Sequence, residues 1–371
     1  MDFGVMFFSS VDRAGAGKYD LLVRAARFAD AHGFSCVWTP ERHFHPFGGL
    51  FPNPALTSAA LATVTSHIQL RAGSLISPLH HTVRIAEDWS VVDNLSGGRA
   101  AISFGSGWNV NDFLFFPDRY ETRQRVMYEQ IDLVRKLWRG EPVQQTNSFG
   151  KPVDVTIYPK PVQRELPIWV TSSGNVQTFR SAGQVGANVL THLIGQDVAQ
   201  LAEKIAAYRQ AWAEAGHQGR GTVSLMLHTF MGRRVDEVRA TVYGPFREYL
   251  RSALSLEQLA AMGGGAISGG HRIAPQDLPA DMIEDLLDVT FDRYFDGGSL
   301  MGTVESCEPT VHRLMEAGVD DAACLVDFGA GDTDAVLRSL DVVNELKDAF
   351  STQGLQASVE DALQQFAQPL E

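Results

Sequence analysis

The chain has 371 residues, 44% of them apolar and 20% charged, with a formal net charge of −13. That apolar share supports a large core, whereas the acidic balance, with no Lys/Arg run longer than a pair such as Arg233–Arg234, argues against nucleic acid or an anionic membrane surface as a partner. Three cysteines, Cys36, Cys307 and Cys324, widely spaced and without a CxxC pair, speak against a disulfide framework or a cysteine-based zinc site.

The N-terminus, "MDFGVMFFSSVDR", has an acidic second residue and a short apolar run, so it reads as a first strand and not a leader. No apolar stretch reaches the roughly 18 residues that a membrane span needs, and the expected location is the cytoplasm. Strand-like and helix-like segments then alternate. Phe3–Phe8 is a strand. Tyr19–Ala31 is a helix with Leu21, Leu22, Ala25, Phe28 and Ala29 at helical spacing, and Gly33 stops it. Strands at Phe34–Trp38, His67–Arg71 and Ala100–Phe104 are separated by helices over Pro54–Thr65 and Thr82–Leu95, the latter stopped by Gly97–Gly98. Arg119–Trp138 is a long amphipathic helix. Pro167–Val170 and Asn188–Leu190 are strands around a helix at Val176–Gln184. Val198–Ala215 is helix, Val223–Met231 strand, Asp236–Leu250 helix, Ala322–Asp327 strand and Asp334–Ala349 helix.

About eight β/α units predict an α/β chain with a parallel sheet, closed as a (β/α)8 TIM barrel in preference to an open doubly wound sheet. The expected organisation is one barrel domain over 1–350 and a peripheral tail, 351–371. Two insertions interrupt it: 140–165, read as a surface excursion, and 252–300 after strand seven, which holds "MGGGAISGGHR". Residues 262–272 are read as a mobile lid or a plain surface loop, because so many glycines lose too much backbone entropy to form a packed element.

In a barrel the chemistry sits at the C-terminal ends of the strands. Those segments here are "WTPERHFHPF", "GSLISPLHH", "GSGWNVNDF", "TSSGN", "THLIG" and "DFGAGD". They are aromatic, hydroxylated and glycine-rich with few carboxylates, which suits a flat, hydrogen-bonding, anionic cofactor better than a divalent metal. "IWVTSSGNVQTF" runs a strand into Ser172, Ser173 and Gly174 before a helix opens, either an anion site or an ordinary N-cap. In "GSGWNVNDF" the glycines around Ser106 permit close backbone approach or mark a tight turn. No G-x-G is followed by a glycine three residues later, so the dinucleotide fingerprint is absent and no Rossmann-type nicotinamide site is expected. Glu87, early in its helix, is either an active-site hydrogen-bonding group or a solvated acid. A metallohydrolase site from His43, His45, His192, His228 and Asp327 is conceivable. Against it, the HxH pair follows the second strand and not the first, and no bridging lysine ends strand four.

Together, "GFSCVWTPERHF", "NPALTSAALATVTSHIQLRAGSLISPLHHTVRIAEDWSVVDNLSGGR", "ISFGSGWNVNDF", "SSGNVQTFRSAGQVGANVLTHLIG" and "GSLMGTVESC" resemble bacterial luciferase-like flavin monooxygenases. More narrowly they are similar to the subgroup associated with nonribosomal peptide and polyketide biosynthesis. The resemblance implies a barrel that binds reduced FMN and uses O2, by way of a C4a-(hydro)peroxyflavin, to oxygenate an organic substrate. It implies a phosphate cluster at Ser173, Gly174, Asn175 and Thr178, with Ser106 where luciferase carries a phosphate-binding arginine. It implies a non-prolyl cis peptide at Gly73–Ser74 beneath the flavin ring, and it matches Glu87 and Asp112 to family carboxylates. Luciferase has Glu-His-His-Phe where this chain has Glu41, Arg42, His43 and Phe44. Arg42 therefore stands at the catalytic-histidine position and cannot serve as a neutral base, leaving the acid–base role to His43 or His45, or an electrostatic role to Arg42.

The resemblance also implies a separate flavin reductase, a homodimer through the helices at Pro54–Thr65 and Thr82–Leu95, and an acyl or aminoacyl substrate, free or tethered to a carrier protein. The rival readings are a deazaflavin (F420)-dependent oxidoreductase on the same barrel, the metallohydrolase, and a flavin-binding subunit without chemistry.

Overall fold

The computed structural model describes residues 1–9, 17–262, 280–329 and 331–350. The expected lid and the tail lie outside the described residues, apart from Met262. Eight parallel strands close on themselves: β1 (Asp2–Met6), β2 (Cys36–Thr39), β3 (Gln69–Ile76), β4 (Ala100–Gly105), then the strands at Ile168–Thr171, Asn188–His192, Val223–Met231 and Asp321–Leu325. Asp2 pairs with Asp321 and Met6 with Leu325, so the last strand returns to the first, while Val189 pairs with Val223. The (β/α)8 barrel expected from the alternation is the fold.

Helices α1 (Asp20–Ala31), α2 (Pro54–Ala62), α3 (Thr82–Ser96) and α4 (Arg123–Trp138) follow the first four strands. Local chemistry sets their ends. Asn53 accepts hydrogen bonds from the Ala55 and Leu56 amides with Pro54 in the first turn of α2, a strong start signal. Gly97, at φ 68°, ends α3 in the left-handed conformation that costs a glycine nothing.

The strands read as short, nearly continuous apolar runs because both faces are covered. Val37 joins the large core between strands and helices, whereas its neighbours Cys36 and Trp38 belong to a second core inside the barrel; this is the two-residue alternation of a strand. The barrel interior also holds a charge. Arg71 is 8% exposed, lies 4.8 and 4.4 Å from the ring centroids of Trp38 and Trp169, and donates to Asp321 at 2.6 Å. Packing between two indole faces and one carboxylate meets the cost of burying that guanidinium.

Several expected boundaries move. The third strand runs over Gln69–Ile76 and not His67–Arg71, so Gly73 and Ser74 lie within it. The helix expected from Arg119 begins at Arg123, preceded by 3-10 turns at Val110–Phe115 and Pro117–Arg119. The 140–165 excursion contains an antiparallel pair, β5 (Val143–Thr146) and β6 (Pro152–Val155). Numbering then continues β7 (Ile168–Thr171), α5 (Val176–Gln184), β8 (Asn188–His192), α6 (Val198–Glu214) and β9 (Val223–Met231). Helix α7 spans Val235–Met262, twelve residues past the expected end at Leu250 and through Pro245. Three further elements were not anticipated: α8 (Ala280–Arg293), β10 (Leu300–Gly302), which extends the rim of β9, and α9 (Val304–Glu316). The barrel closes with β11 (Asp321–Leu325) and α10 (Thr333–Phe350). Among the described residues no helix is long and apolar enough to cross a membrane.

Candidate active site

At the end of β2 the chain turns through Glu41, and this carboxylate is a hub. Its side chain is fully buried, and it accepts from His43 Nε2 at 2.9 Å, His80 Nε2 at 2.6 Å and the Ile76 amide at 2.7 Å. Burial alone would raise its pKa, but the bonds from His43 and His80 outweigh that, and it is held below the ordinary carboxylate value. An ionised carboxylate only accepts, so both imidazoles present Nε2–H to it, and each neutral ring keeps Nδ1 as its basic nitrogen. His43 packs against Phe115 and Phe44, at 5.1 and 5.4 Å between ring centroids.

Arg42 is set deep in the mouth yet partly open. Its guanidinium lies 3.9 Å from the Phe8 ring centroid and 5.2 Å from that of Phe47, and its stem is clamped by Gly48, where a Cβ would fall 2.6 Å from Arg42 Cγ. Burial lowers its pKa to about 10, against the raising effect of Tyr249, Asp112 and Asp327; it stays a cation. His45 accepts from the Phe47 amide at 3.1 Å, and burial together with the Arg42 charge lowers its pKa. Phe44 and His45 line an open cleft of about 490 Å³ with Asn109, Phe113 and Tyr120.

Asp112, 6% exposed, accepts from Asn109 Nδ2 at 2.9 Å. Burial pushes its carboxyl up from 3.8 to about 6, although His43 and Arg42 pull it down. For an acid whose folded pKa is raised, the native state holds a proton that the unfolded chain has released, so stability falls as pH rises from about 4 to about 6 and stays reduced above. Asp112→Asn keeps the acceptor and removes the charge. It should be more stable than the parent by about 2–3 kcal/mol at pH 8 and lack the decline between pH 4 and 6. Urea midpoints at pH 4, 6 and 8 measure both; an unchanged decline contradicts the assignment.

The end of β3 supplies a close-packed edge. The Gly73–Ser74 peptide is cis, as the resemblance implied. A Cβ on Gly73 would lie 2.9 Å from Trp38 Cε3, so only glycine fits. Ser74 Oγ is 2.6 Å and Ser103 Oγ 2.7 Å from Thr171 Oγ1, a three-hydroxyl cluster joining β3, β4 and β7. Ser106 follows β4 between Gly105 and Gly107, and Arg123 steadies that loop by donating to the Gly107 carbonyl at 3.0 Å.

The turn from β7 to α5 carries several polar groups without partners among the described residues. Gly174 has φ 102°, Ser173 and Asn175 are exposed and Thr178 is partly buried. Asn175 caps α5 by accepting from the Gln177 amide at 2.8 Å. The amides of Ser173, Gly174, Asn175 and Val176 donate to no acceptor among the described residues. The Ser172 hydroxyl, 4% exposed, also has no partner. Lys204, from α6, donates to Gln196 Oε1 at 2.7 Å, and its Nζ lies 3.4 Å from where a Cβ on Gly174 would stand.

Not every expected residue joins these groups. Glu87 stands on α3 with its side chain 40% exposed, 3.6 Å from Arg84 one turn back. The residues proposed for a metal are engaged separately. Asp327 accepts from the Phe8 and Ser9 amides at 3.0 Å. His228 is enclosed by Phe246, Tyr249, Tyr294 and Phe328, and burial followed by His192 lowers its pKa to about 3. His192 ends β8 instead of following it, and burial lowers its pKa to about 4. Sequence reasoning missed His80, Thr171, Gln196 and Lys204. His80 was within reach, being in the segment after the third strand. Lys204 sits on a helix remote in sequence from the Gly174 turn, with no pattern to flag it.

The barrel thus carries a turn of unused backbone amides after its fifth barrel strand and a histidine–carboxylate hub after its second. The chain belongs to the luciferase-like monooxygenase family, whose profile matches residues 1–321. It is 28% identical over 228 residues to the oxygenase component of flavin-dependent trigonelline monooxygenase from Acinetobacter baylyi; the match covers 60% of this chain and 61% of that protein. It is 29% identical over 174 residues to F420-dependent glucose-6-phosphate dehydrogenase from Segniliparus rotundus, covering 44% of this chain and 50% of that protein. Among solved structures, 3,6-diketocamphane monooxygenase from Pseudomonas putida, a type II Baeyer–Villiger enzyme in complex with FMN, superposes with a TM-score of 0.73 at 20% identity. The match covers 93% of this chain and 97% of that one. At that identity the likeness speaks for the fold.

Proposed function

We propose that the chain is the oxygenase component of a two-component flavin monooxygenase, taking reduced FMN from a separate reductase and oxygenating a small organic substrate with O2. The observation that carries this reading is the Ser173–Val176 turn, whose four unused amides at a helix N-terminus suit the phosphate end of the cofactor. The Gly73 edge, closed to any larger residue, would let the flat ring approach the backbone. Bound there, the flavin supplies the oxygen-activating chemistry.

The chain's own residues have separate tasks. His43, oriented by Glu41, holds or delivers a proton. Arg42, held against Phe8 and Phe47, would supply a fixed positive charge to the bound flavin. Phe8, Phe47 and Tyr249, the last with its ring 5.3 Å from that of Phe47, limit water at the mouth. A homodimer through the same two helices belongs to this reading; Leu56 on α2 and Val91 and Leu95 on α3 are the exposed apolar side chains it would cover.

The F420-dependent relative favours a second reading, hydride transfer with a deazaflavin. Anaerobic competition between reduced FMN and reduced F420, followed by cofactor fluorescence, separates them. Preferential binding of reduced FMN is expected, and preferential binding of F420 would replace this reading with the second.

A further inference from the structure

We propose that Lys204 is the phosphate counter-ion of this site and that it makes the site selective for a terminal phosphomonoester. The inference rests on the flavin reading above and adds the residue that sets its selectivity. Three observations on different elements converge. The Ser173–Val176 amides are unused, but neutral donors alone do not neutralise a dianion. Lys204 reaches the turn from α6, and among the described residues its ammonium makes no ion pair; its recorded partner is the neutral amide of Gln196. Gln196 is itself fixed: it is 3% exposed, and its Nε2 donates to the His192 carbonyl at 2.6 Å.

That chain of bonds aims a flexible side chain at the Gly174 turn, where Nζ lies 3.4 Å from the site of a missing Cβ. A lysine held at an anion-binding turn without a carboxylate partner is a charge left for a ligand. The Ser172 hydroxyl, buried and unpartnered in the same turn, is a further unmet polar group. A phosphomonoester brings nearly two negative charges and three terminal oxygens, enough for the amides and the ammonium together. A phosphodiester, as in F420, brings one charge and two such oxygens, and riboflavin brings none.

The test is anaerobic titration of the full chain with reduced FMN and reduced riboflavin, for the parent, Lys204→Met and Lys204→Arg. In the parent, FMN should bind at least about 100-fold more tightly than riboflavin. Lys204→Met should weaken FMN binding by about 10- to 100-fold, as loss of a charged hydrogen bond does, and leave riboflavin binding unchanged. Lys204→Arg should restore most of the FMN affinity. The FMN advantage should also shrink with added salt in the parent, and less so in the methionine variant. Equal weakening of FMN and riboflavin would mean that Lys204 is only structural and would overturn the proposal, as would an unchanged FMN affinity. Riboflavin serves as the folding control for each variant. If neither flavin binds the parent, the flavin reading itself fails; if both bind equally, that reading stands and the Lys204 proposal falls.

Discussion

Glu41→Ala should destabilise the fold by about 3–5 kcal/mol and abolish turnover. The carboxylate is fully buried and meets three donors, on His43, His80 and Ile76. Its removal leaves those donors without their acceptor, at about 1–3 kcal/mol for each that stays buried, with part recovered by relaxation and by water reaching the half-buried His80. Function is lost for a separate reason: without the carboxylate, His43 has neither a fixed tautomer nor a fixed orientation. Glu41→Gln separates the two effects, because it retains the shape and its one carbonyl oxygen can still accept from both imidazoles, which share Oε1 of the carboxylate, while the Ile76 amide loses its acceptor. The acid limb is diagnostic. A carboxyl whose folded pKa is lowered contributes stability above its unfolded pKa and loses it as pH falls through the folded one. The parent should therefore weaken progressively below the ordinary carboxylate range, and Glu41→Gln should lack that component. Chemical denaturation from pH 3 to 7 measures it, and coincident acid limbs would contradict the role given to Glu41.

Gly73→Val should leave a folded protein with no measurable flavin binding. A Cβ there falls 2.9 Å from Trp38 Cε3 and 3.1 Å from Trp38 Cβ, and Trp38 cannot retreat. It is fully buried, edge-on to Trp169 at 5.5 Å, and covered by Arg71. The backbone of β3 must shift instead, at a cost of about 1–3 kcal/mol for overpacking. The displaced edge is the one the flavin ring is proposed to approach. Far-UV circular dichroism checks the fold, and fluorescence titration with FMN checks the site. Parent-like FMN affinity in a folded Gly73→Val protein would remove β3 from the cofactor site.

These two residues also show how far the sequence could be read. The barrel was legible because parallel strands buried on both faces leave short apolar runs, such as Cys36–Thr39 and Ala100–Gly105, separated by helices of the right period. The Gly73–Ser74 peptide and the Ser173–Asn175 turn came from the resemblance together with glycine placement. What escaped depends on tertiary packing. β10 is three residues long, too short for any periodicity, and forms only because the end of β9 offers it a free edge. The place of Arg71 between two indoles inside the barrel needs the third dimension. Glu87 was matched to a family carboxylate by likeness, whereas its place beside Arg84, with its side chain 40% exposed, needed the phase of α3. His80 and Lys204 reach their partners from other elements, which no spacing rule encodes.

The most direct test of the central claim is the reaction of the reduced-FMN complex with oxygen. The protein is titrated anaerobically with reduced FMN, mixed rapidly with oxygenated buffer, and followed across the flavin spectrum. The account predicts a bound flavin that passes through a long-lived transient, distinct from both reduced and oxidised FMN, whose lifetime shortens in Glu41→Gln. Reoxidation at the rate of free reduced FMN, with no transient in the parent, would contradict it.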